Sequence, residues 1–251
     1  MRGIVITGGE GPAPEALREI ARGADLLAAA DSGLVAAEEA GLSPDWVLGD
    51  MDSLDNPARL GKYPSERVIR YPREKDFTDT ELALALLKEK GCDEIWLAGG
   101  GGGRTDHLFA IFSLFEREPS TERTSVSVAS KMRDSPPAPS AETRRTDRRS
   151  TSSPPLEPPD RWFTAHEEIR CLKEGRTLDA ALPPGSLVSV FPLGSGPWAA
   201  ESSGLKWPLD GLAWERGGFG LSNVALGGTF RIRSLQGRFM VIGRRGMAPL
   251  V

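Results

Sequence analysis

Thr78-Asp79-Thr80-Glu81-Leu82-Ala83-Leu84-Ala85-Leu86-Leu87-Lys88-Glu89-Lys90-Gly91, followed by Glu94-Ile95-Trp96-Leu97-Ala98, reads as a capped helix feeding a buried strand. Thr78 and Glu81 stand at the spacing of a capping box. Leucines follow, Lys88 and Lys90 suit the negative end of the helix dipole, and Gly91 closes the helix. The same alternation continues upstream. Residues 3–7, 26–30, 46–49 and 67–71 are short strand-like runs, with a helix between Pro14 and Gly23 and another between Ser32, as cap, and Gly41. A further helix runs from about Thr105 to Glu116. Strands alternating with helices predict an α/β domain over residues 1–120, a parallel sheet flanked by helices.

Residues 121–160 differ in kind. From Lys131 to Asp160 there are seven prolines, many Ser, Thr and Arg, and only Met132 and Leu156 as large apolar side chains. Such a stretch buries too little surface to offset its ordering entropy and reads as a disordered or aberrant linker. Its Arg, Pro, Ser and Ala content is also that of a GC-rich gene read out of frame, after the strand-like start Thr124-Ser125-Val126-Ser127-Val128. Beyond it, residues 186–191, 228–235 and 237–243 read as strands between turns such as Gly194-Ser195-Gly196-Pro197, so residues 161–251 form a smaller all-β domain. That domain is expected to pack on the first domain or on a second copy of the chain.

Composition narrows the function classes. With 251 residues and a net charge of −4, the chain lacks the basic balance of a nucleic-acid-binding protein. No apolar stretch approaches the ~20 residues that span a bilayer, so no membrane association is expected. Met1-Arg2-Gly3 leads directly into a strand rather than a signal peptide. Cys92 and Cys171 fit neither a CxxC nor a Cys/His metal pattern, and two reduced thiols suit a cytoplasmic protein.

The carboxylates stand out by position. Asp31 ends the second strand, Asp50 and Asp52 end the third in Gly49-Asp50-Met51-Asp52-Ser53, and Asp76 and Asp79 precede the capped helix. Ligands of open parallel sheets bind outside the carboxyl ends of the strands. A lone Asp before Ser commonly closes a turn, and Asp79 also suits a helix dipole. The repetition in register points instead to a cation between the acids. Oxygen-only ligands favour Mg²⁺ held together with substrate phosphates. After the fifth strand, Gly99-Gly100-Gly101-Gly102-Gly103-Arg104 opens a helix. Glycine N–H groups can approach phosphate there, and Arg104 offers a planar fork. A GxxxxGK[ST] loop is absent. His107 reads as a helix-surface residue, Trp207 as core, and Ser222-Asn223 as a turn.

Together, Asp31-Ser32-Gly33, Gly49-Asp50-Met51-Asp52-Ser53, Lys75-Asp76-Phe77-Thr78-Asp79, Gly102-Gly103-Arg104-Thr105-Asp106-His107, Gly204-Leu205-Lys206-Trp207-Pro208-Leu209 and Ser222-Asn223 resemble the thiamine pyrophosphokinase family. The likeness spans about residues 1–118 and 162–245. It implies an α/β domain followed by a C-terminal β-sandwich domain, a homodimer with shared active sites, and the reaction of ATP with thiamine to give thiamine diphosphate and AMP. By position it implies Asp50, Asp52 and Asp79 as Mg²⁺ ligands, with Asp31 close by as a further catalytic acid. Lys75, Asp76, Thr78, Gly102, Gly103, Arg104 and Asp106 would meet nucleotide, and Ser222 and Asn223 would meet thiamine. There are two departures: Val224-Ala225, where the resemblance leads one to expect an acidic or aromatic residue, and residues 121–160, which fall where it implies a last strand of the parallel sheet. Two other readings are a catalytically impaired nucleotide-binding family member and a diphosphokinase for another alcohol, such as a pterin. The out-of-frame reading of residues 121–160 predicts an apolar, β-branched run in another frame of the coding DNA. If neither other frame contains one, the segment is a true linker.

Overall fold

The computed structural model describes residues 1–52, 54, 56–118, 158–246 and 248–249. The expected linker, except its last three residues, lies outside the described residues, and so does Ser53. The chain divides into two compact units. The first takes in residues 1–8 and 14–95, and the second takes in residues 9–13, 96–118 and 158 onward. A boundary was expected near residue 120. The helix before it instead groups with the C-terminal β region.

In the first unit, β1 (Arg2–Thr7), β2 (Leu26–Ala30), β3 (Trp46–Gly49) and β4 (Val68–Arg70) lie side by side in that order and are all parallel. Three helices accompany them: α1 (Pro14–Ala21), α2 (Gly33–Glu39) and α3 (Asp79–Glu89). Parallel strands covered by helices must be apolar on both faces. Ile4, Val5 and Ile6 of β1 are accordingly all buried. Helix α3 contributes Leu82, Leu84, Leu86 and Leu87 to the same core, packed against β1 and β2. Its capping box is complete: the Glu81 amide donates to Thr78 Oγ1 at 3.2 Å, and the Thr78 amide donates to Glu81 Oε2 at 2.8 Å. Such a cap contributes about 1 kcal/mol. Ser32 does occupy the N-cap position of α2, but its hydroxyl makes no capping bond.

The second unit receives the end of β5 (Glu94–Ala98) and contains α4 (Thr105–Glu116), β6 (Arg161–Phe163), β7 (Glu167–Leu172), β8 (Thr177–Ala181), β9 (Leu187–Leu193), β10 (Ala199–Ser203), β11 (Gly220–Val224), β12 (Thr229–Gln236), β13 (Arg238–Arg244) and β14 (Ala248–Pro249). One sheet runs β11-β9-β13-β7-β6-β5 and another β10-β12-β8-β14. Leu178, Ala180, Phe230 and Ile232 of the smaller sheet meet Val188, Val190, Phe239 and Val241 of the larger in one core, the expected sandwich. The parallel neighbour of β5, expected within residues 121–160, is supplied by β6, with Trp96 opposite Arg161 and Ala98 opposite Phe163. The indole of Trp162 anchors it, donating to the Gly99 carbonyl at 2.7 Å and packing edge-on against Phe112 of α4.

Helix α2 approaches β1 so closely that a Cβ on Gly33 would lie 2.1 Å from the Ile6 carbonyl oxygen and 2.8 Å from Thr7 Cα. Alanine would improve helix propensity by ~1 kcal/mol, but the atoms it meets are backbone and cannot swing aside. Overpacking of this kind costs typically 1–3 kcal/mol. Gly33→Ala is therefore expected to be net destabilising in urea titration. Unchanged or raised stability would show that α2 can move off β1.

Candidate active site

Strand ends and a helix start assemble the site in the first unit. Asp31 follows β2 with φ +47°, its amide donating to the Leu48 carbonyl at 2.9 Å. Asp50 follows β3, and Asp79 is the first residue of α3. Carboxylate oxygens of Asp31, Asp50 and Asp79 all lie within 4.8 Å of one another. The backbone is bent to achieve this. Met51 takes φ +64°, a conformation costing roughly 1–2 kcal/mol in a non-glycine residue. Its amide reaches Asp31 Oδ1 at 3.2 Å, and its side chain is buried among Ala29, Leu34, Val47, Leu54 and Leu60. Glycine at 49 makes room, since a Cβ there would stand 2.0 Å from Asp31 Oδ1.

Crowding shows in the protonation of the cluster. Burial, followed by the charge of Asp79 and a hydrogen bond with it, pushes the Asp31 carboxyl up to about 7. Burial also pushes Asp50 upward, but hydrogen bonds from Asp52 and the charges of Lys75 and Arg73 outweigh it and hold Asp50 below its ordinary value. Lys75, whose side chain is 5% exposed, places Nζ 3.2 Å from Asp79 Oδ1 and 3.8 Å from Asp50 Oδ2. That ammonium lies within ion-pair range of Asp79 Oδ1 but outside hydrogen-bond geometry, and the oxygen is buried without a hydrogen-bond donor.

Of the other expected residues, Asp52, Asp76 and Thr78 share the first unit with this trio, and the rest lie in the second. Asp52 lies outside it and pairs with Arg73 at 3.3 Å, while its amide donates to Asp50 Oδ1 at 3.1 Å. Asp76 is exposed, and the Thr78 hydroxyl is committed to Glu81. In the second unit, Gly102 and Gly103 take φ +61° and +60° ahead of α4. The Arg104 fork grips Asp106 through Nε at 3.1 Å and Nη2 at 2.6 Å, with both side chains largely exposed. Gly101 is paired across an antiparallel bridge with Glu10, so the early run Gly9-Glu10-Gly11 buttresses the later one.

Near the C-terminus, Ser222 and Asn223 belong to a bulged strand rather than a turn, with Ser222 at φ +57°. The Asn223 amide accepts from Trp207 N at 3.1 Å and donates to Trp207 O at 2.6 Å. Trp207 was expected in the core and is instead 53% exposed, because this pairing pins its backbone at the surface. Two features had no sequence signal: the Thr7–Thr80 hydroxyl contact at 2.8 Å beside the end of β1, and the insertion of Lys75 between acids.

Carboxylates clustered outside the carboxyl ends of parallel strands mark the first unit as an open α/β fold with a candidate ligand crevice. The family model for the thiamin pyrophosphokinase catalytic domain matches residues 17–127. An 85-residue segment is 36% identical to the thiamine pyrophosphokinase of Bacillus subtilis strain 168, taking in 34% of this chain and 40% of that relative. The alignment thus spans less than half of the curated relative. The fold resembles the crystal structure of thiamine pyrophosphokinase from Bacillus subtilis, with TM-score 0.69 and 20% identity over 97% of this chain and 99% of that one. It also resembles thiamin pyrophosphokinase from Geobacillus thermodenitrificans, with TM-score 0.65 and 22% identity over the whole of both chains. The likeness to the thiamin pyrophosphokinase catalytic domain is thus carried by residues 17–127.

A carboxyl raised in the folded state binds more protons there than when unfolded, so its contribution is greatest at low pH and is lost as pH rises through about 7. Between pH 5.5 and 8, metal-free wild type should lose thermal stability relative to Asp31→Asn. Parallel pH profiles for the two proteins would contradict the crowding.

Proposed function

We propose that this chain transfers a diphosphoryl group from ATP to thiamine, giving thiamine diphosphate and AMP, with Mg²⁺ at the acid cluster. The meeting of Asp31, Asp50 and Asp79 within 4.8 Å carries the reading. The donor set fits the ion: the ligands are oxygen only, and Asp79 Oδ1 is buried without a hydrogen-bond donor. When bound, Mg²⁺ neutralises charge on the phosphates of ATP. Asp50 and Asp79 would hold it, with Asp31 adjoining. Asp52, tied to Arg73, would add charge from outside.

Attack by the thiamine hydroxyl on the β-phosphorus of ATP expels AMP, and the protein mainly positions the reactants and stabilises charge. Asp31, pushed up to about 7, is suited to take the hydroxyl proton. Arg104 would exchange Asp106 for a phosphate oxygen, which meets its fork equally well. Gly102 and Gly103 offer backbone donors beside it, and Thr78 fixes the start of α3 and thereby Asp79. For thiamine, the exposed Trp207 ring offers a face to a flat cationic heterocycle. Asn223 would act by holding Trp207, and Ser222 by direct contact.

We extend the proposal to a homodimer. The edge strand β11 and its surroundings expose Leu187, Phe219, Leu221 and Leu226, each 57–60% accessible, a surface that a second copy would cover. A cytoplasmic setting fits the ATP requirement and the two free thiols, both pushed up chiefly by burial. Among the described residues no helix is long and apolar enough to cross a membrane.

Incubation with ATP, Mg²⁺ and thiamine should yield AMP and thiamine diphosphate in equal amounts. Asp50→Asn should lower turnover by a factor on the order of 10² or more while the protein stays folded. Release of ADP in place of AMP would overturn diphosphoryl transfer. Product from a pterin alcohol but not from thiamine would replace the substrate. Light scattering of the same sample should give twice the 27.0 kDa chain mass, and a purely monomeric active species would remove the shared-site arrangement.

A further inference from the structure

Lys75 lies in the segment leading into α3, and its ammonium contacts the oxygens that a cation would use. Nζ stands 3.2 Å from Asp79 Oδ1 and 3.8 Å from Asp50 Oδ2, and the side chain is 5% exposed. Both acids belong to the trio gathered within 4.8 Å. Arg73 is different: it is 81% exposed and paired with Asp52 outside the trio, so water screens it. A divalent ion on Asp50 and Asp79 would stand within a few ångströms of the Lys75 ammonium. Like charges that close, with little water between them, repel strongly. A lysine can respond by moving, because its ammonium is a compact charge on a flexible four-carbon stem.

We propose that Lys75 is a resident counter-cation of the acid cluster, displaced by the divalent ion, which makes the site prefer an ion arriving with phosphate over a free ion. A free hydrated cation must expel the ammonium and offers it nothing in return. A cation carried on ATP brings phosphate oxygens that receive the displaced ammonium. Lys75 is thus a specificity-determining residue that couples cation entry to nucleotide entry. The inference rests on the reading of the acids as a cation site and adds the order of preference at that site.

The test titrates Mn²⁺ against wild type, Lys75→Met, Lys75→Gln and Lys75→Arg, read by electron paramagnetic resonance, with and without a non-hydrolysable ATP analogue. Circular dichroism selects the folded neutral variant. Removing the charge should tighten free Mn²⁺ by about tenfold or more. Binding of the Mn²⁺–nucleotide complex should be unchanged or weakened, so the advantage conferred by nucleotide shrinks. Lys75→Arg should keep the wild-type preference. If the neutral variants bind free Mn²⁺ no tighter than wild type while all still bind the Mn²⁺–nucleotide complex, the role of Lys75 is overturned and the cation site stands. Equal tightening in Lys75→Arg also overturns it. If no variant and no wild type binds Mn²⁺ in either form, the cation site itself is overturned, and the role of Lys75 with it.

Discussion

Three carboxylates within 4.8 Å of one another repel, and the local structure around them is built to hold them there. Two unit charges 4 Å apart at an effective dielectric near 20 cost about 4 kcal/mol. A site with three such neighbours is tenable only if positive charge or a proton compensates. Both are present: Asp31 carries a raised pKa, and Lys75 is threaded between Asp50 and Asp79. The scaffold supplies the force. Left-handed backbone at Asp31 and Met51 is retained because Met51 is anchored in the core beneath and Gly49 leaves space above. A fold that accepts strain and repulsion at one spot is spending stability on chemistry.

The second unit solves a different problem, that of seating a three-residue strand in its sheet. Its first strand, β6, is held from several directions at once. Glu168 of β7 is almost wholly buried and is gripped by Arg161 and Arg170. Arg161 lies over the Trp96 ring at 4.2 Å, and Trp162 is bonded to Gly99. A buried carboxylate stripped of one such partner costs 3–5 kcal/mol. These contacts act together on residues 161–163 and hold them in register between β5 and β7. The Asn223–Trp207 pairing plays a similar part near β11, where it fixes the Trp207 backbone.

Much of this was legible in the sequence because it depends on local pattern. The capping box at Thr78, the alternation of strands and helices through Ala98, and the acids at the ends of β2 and β3 follow from periodicity and turn chemistry. What escaped depends on partners distant in sequence. Nothing about Trp207 says that Asn223 will hold it at the surface. Nothing about Lys75 says that it will enter the cluster while Asp52 turns to Arg73. The parallel partner of β5 was sought in the polar stretch, yet it is the short run Arg161–Phe163, too brief to register as a strand by pattern alone. The Glu10–Gly101 bridge joins two glycine runs that look unrelated along the chain.

Anomalous diffraction from a crystal grown with Mn²⁺ and a non-hydrolysable ATP analogue tests the central claim most directly. The account predicts a Mn²⁺ peak about 2.1 Å from carboxylate oxygens of Asp50 and Asp79, with Asp31 adjoining and analogue phosphate oxygens completing the shell. A peak elsewhere, or nucleotide bound with no metal among these three acids, would contradict it.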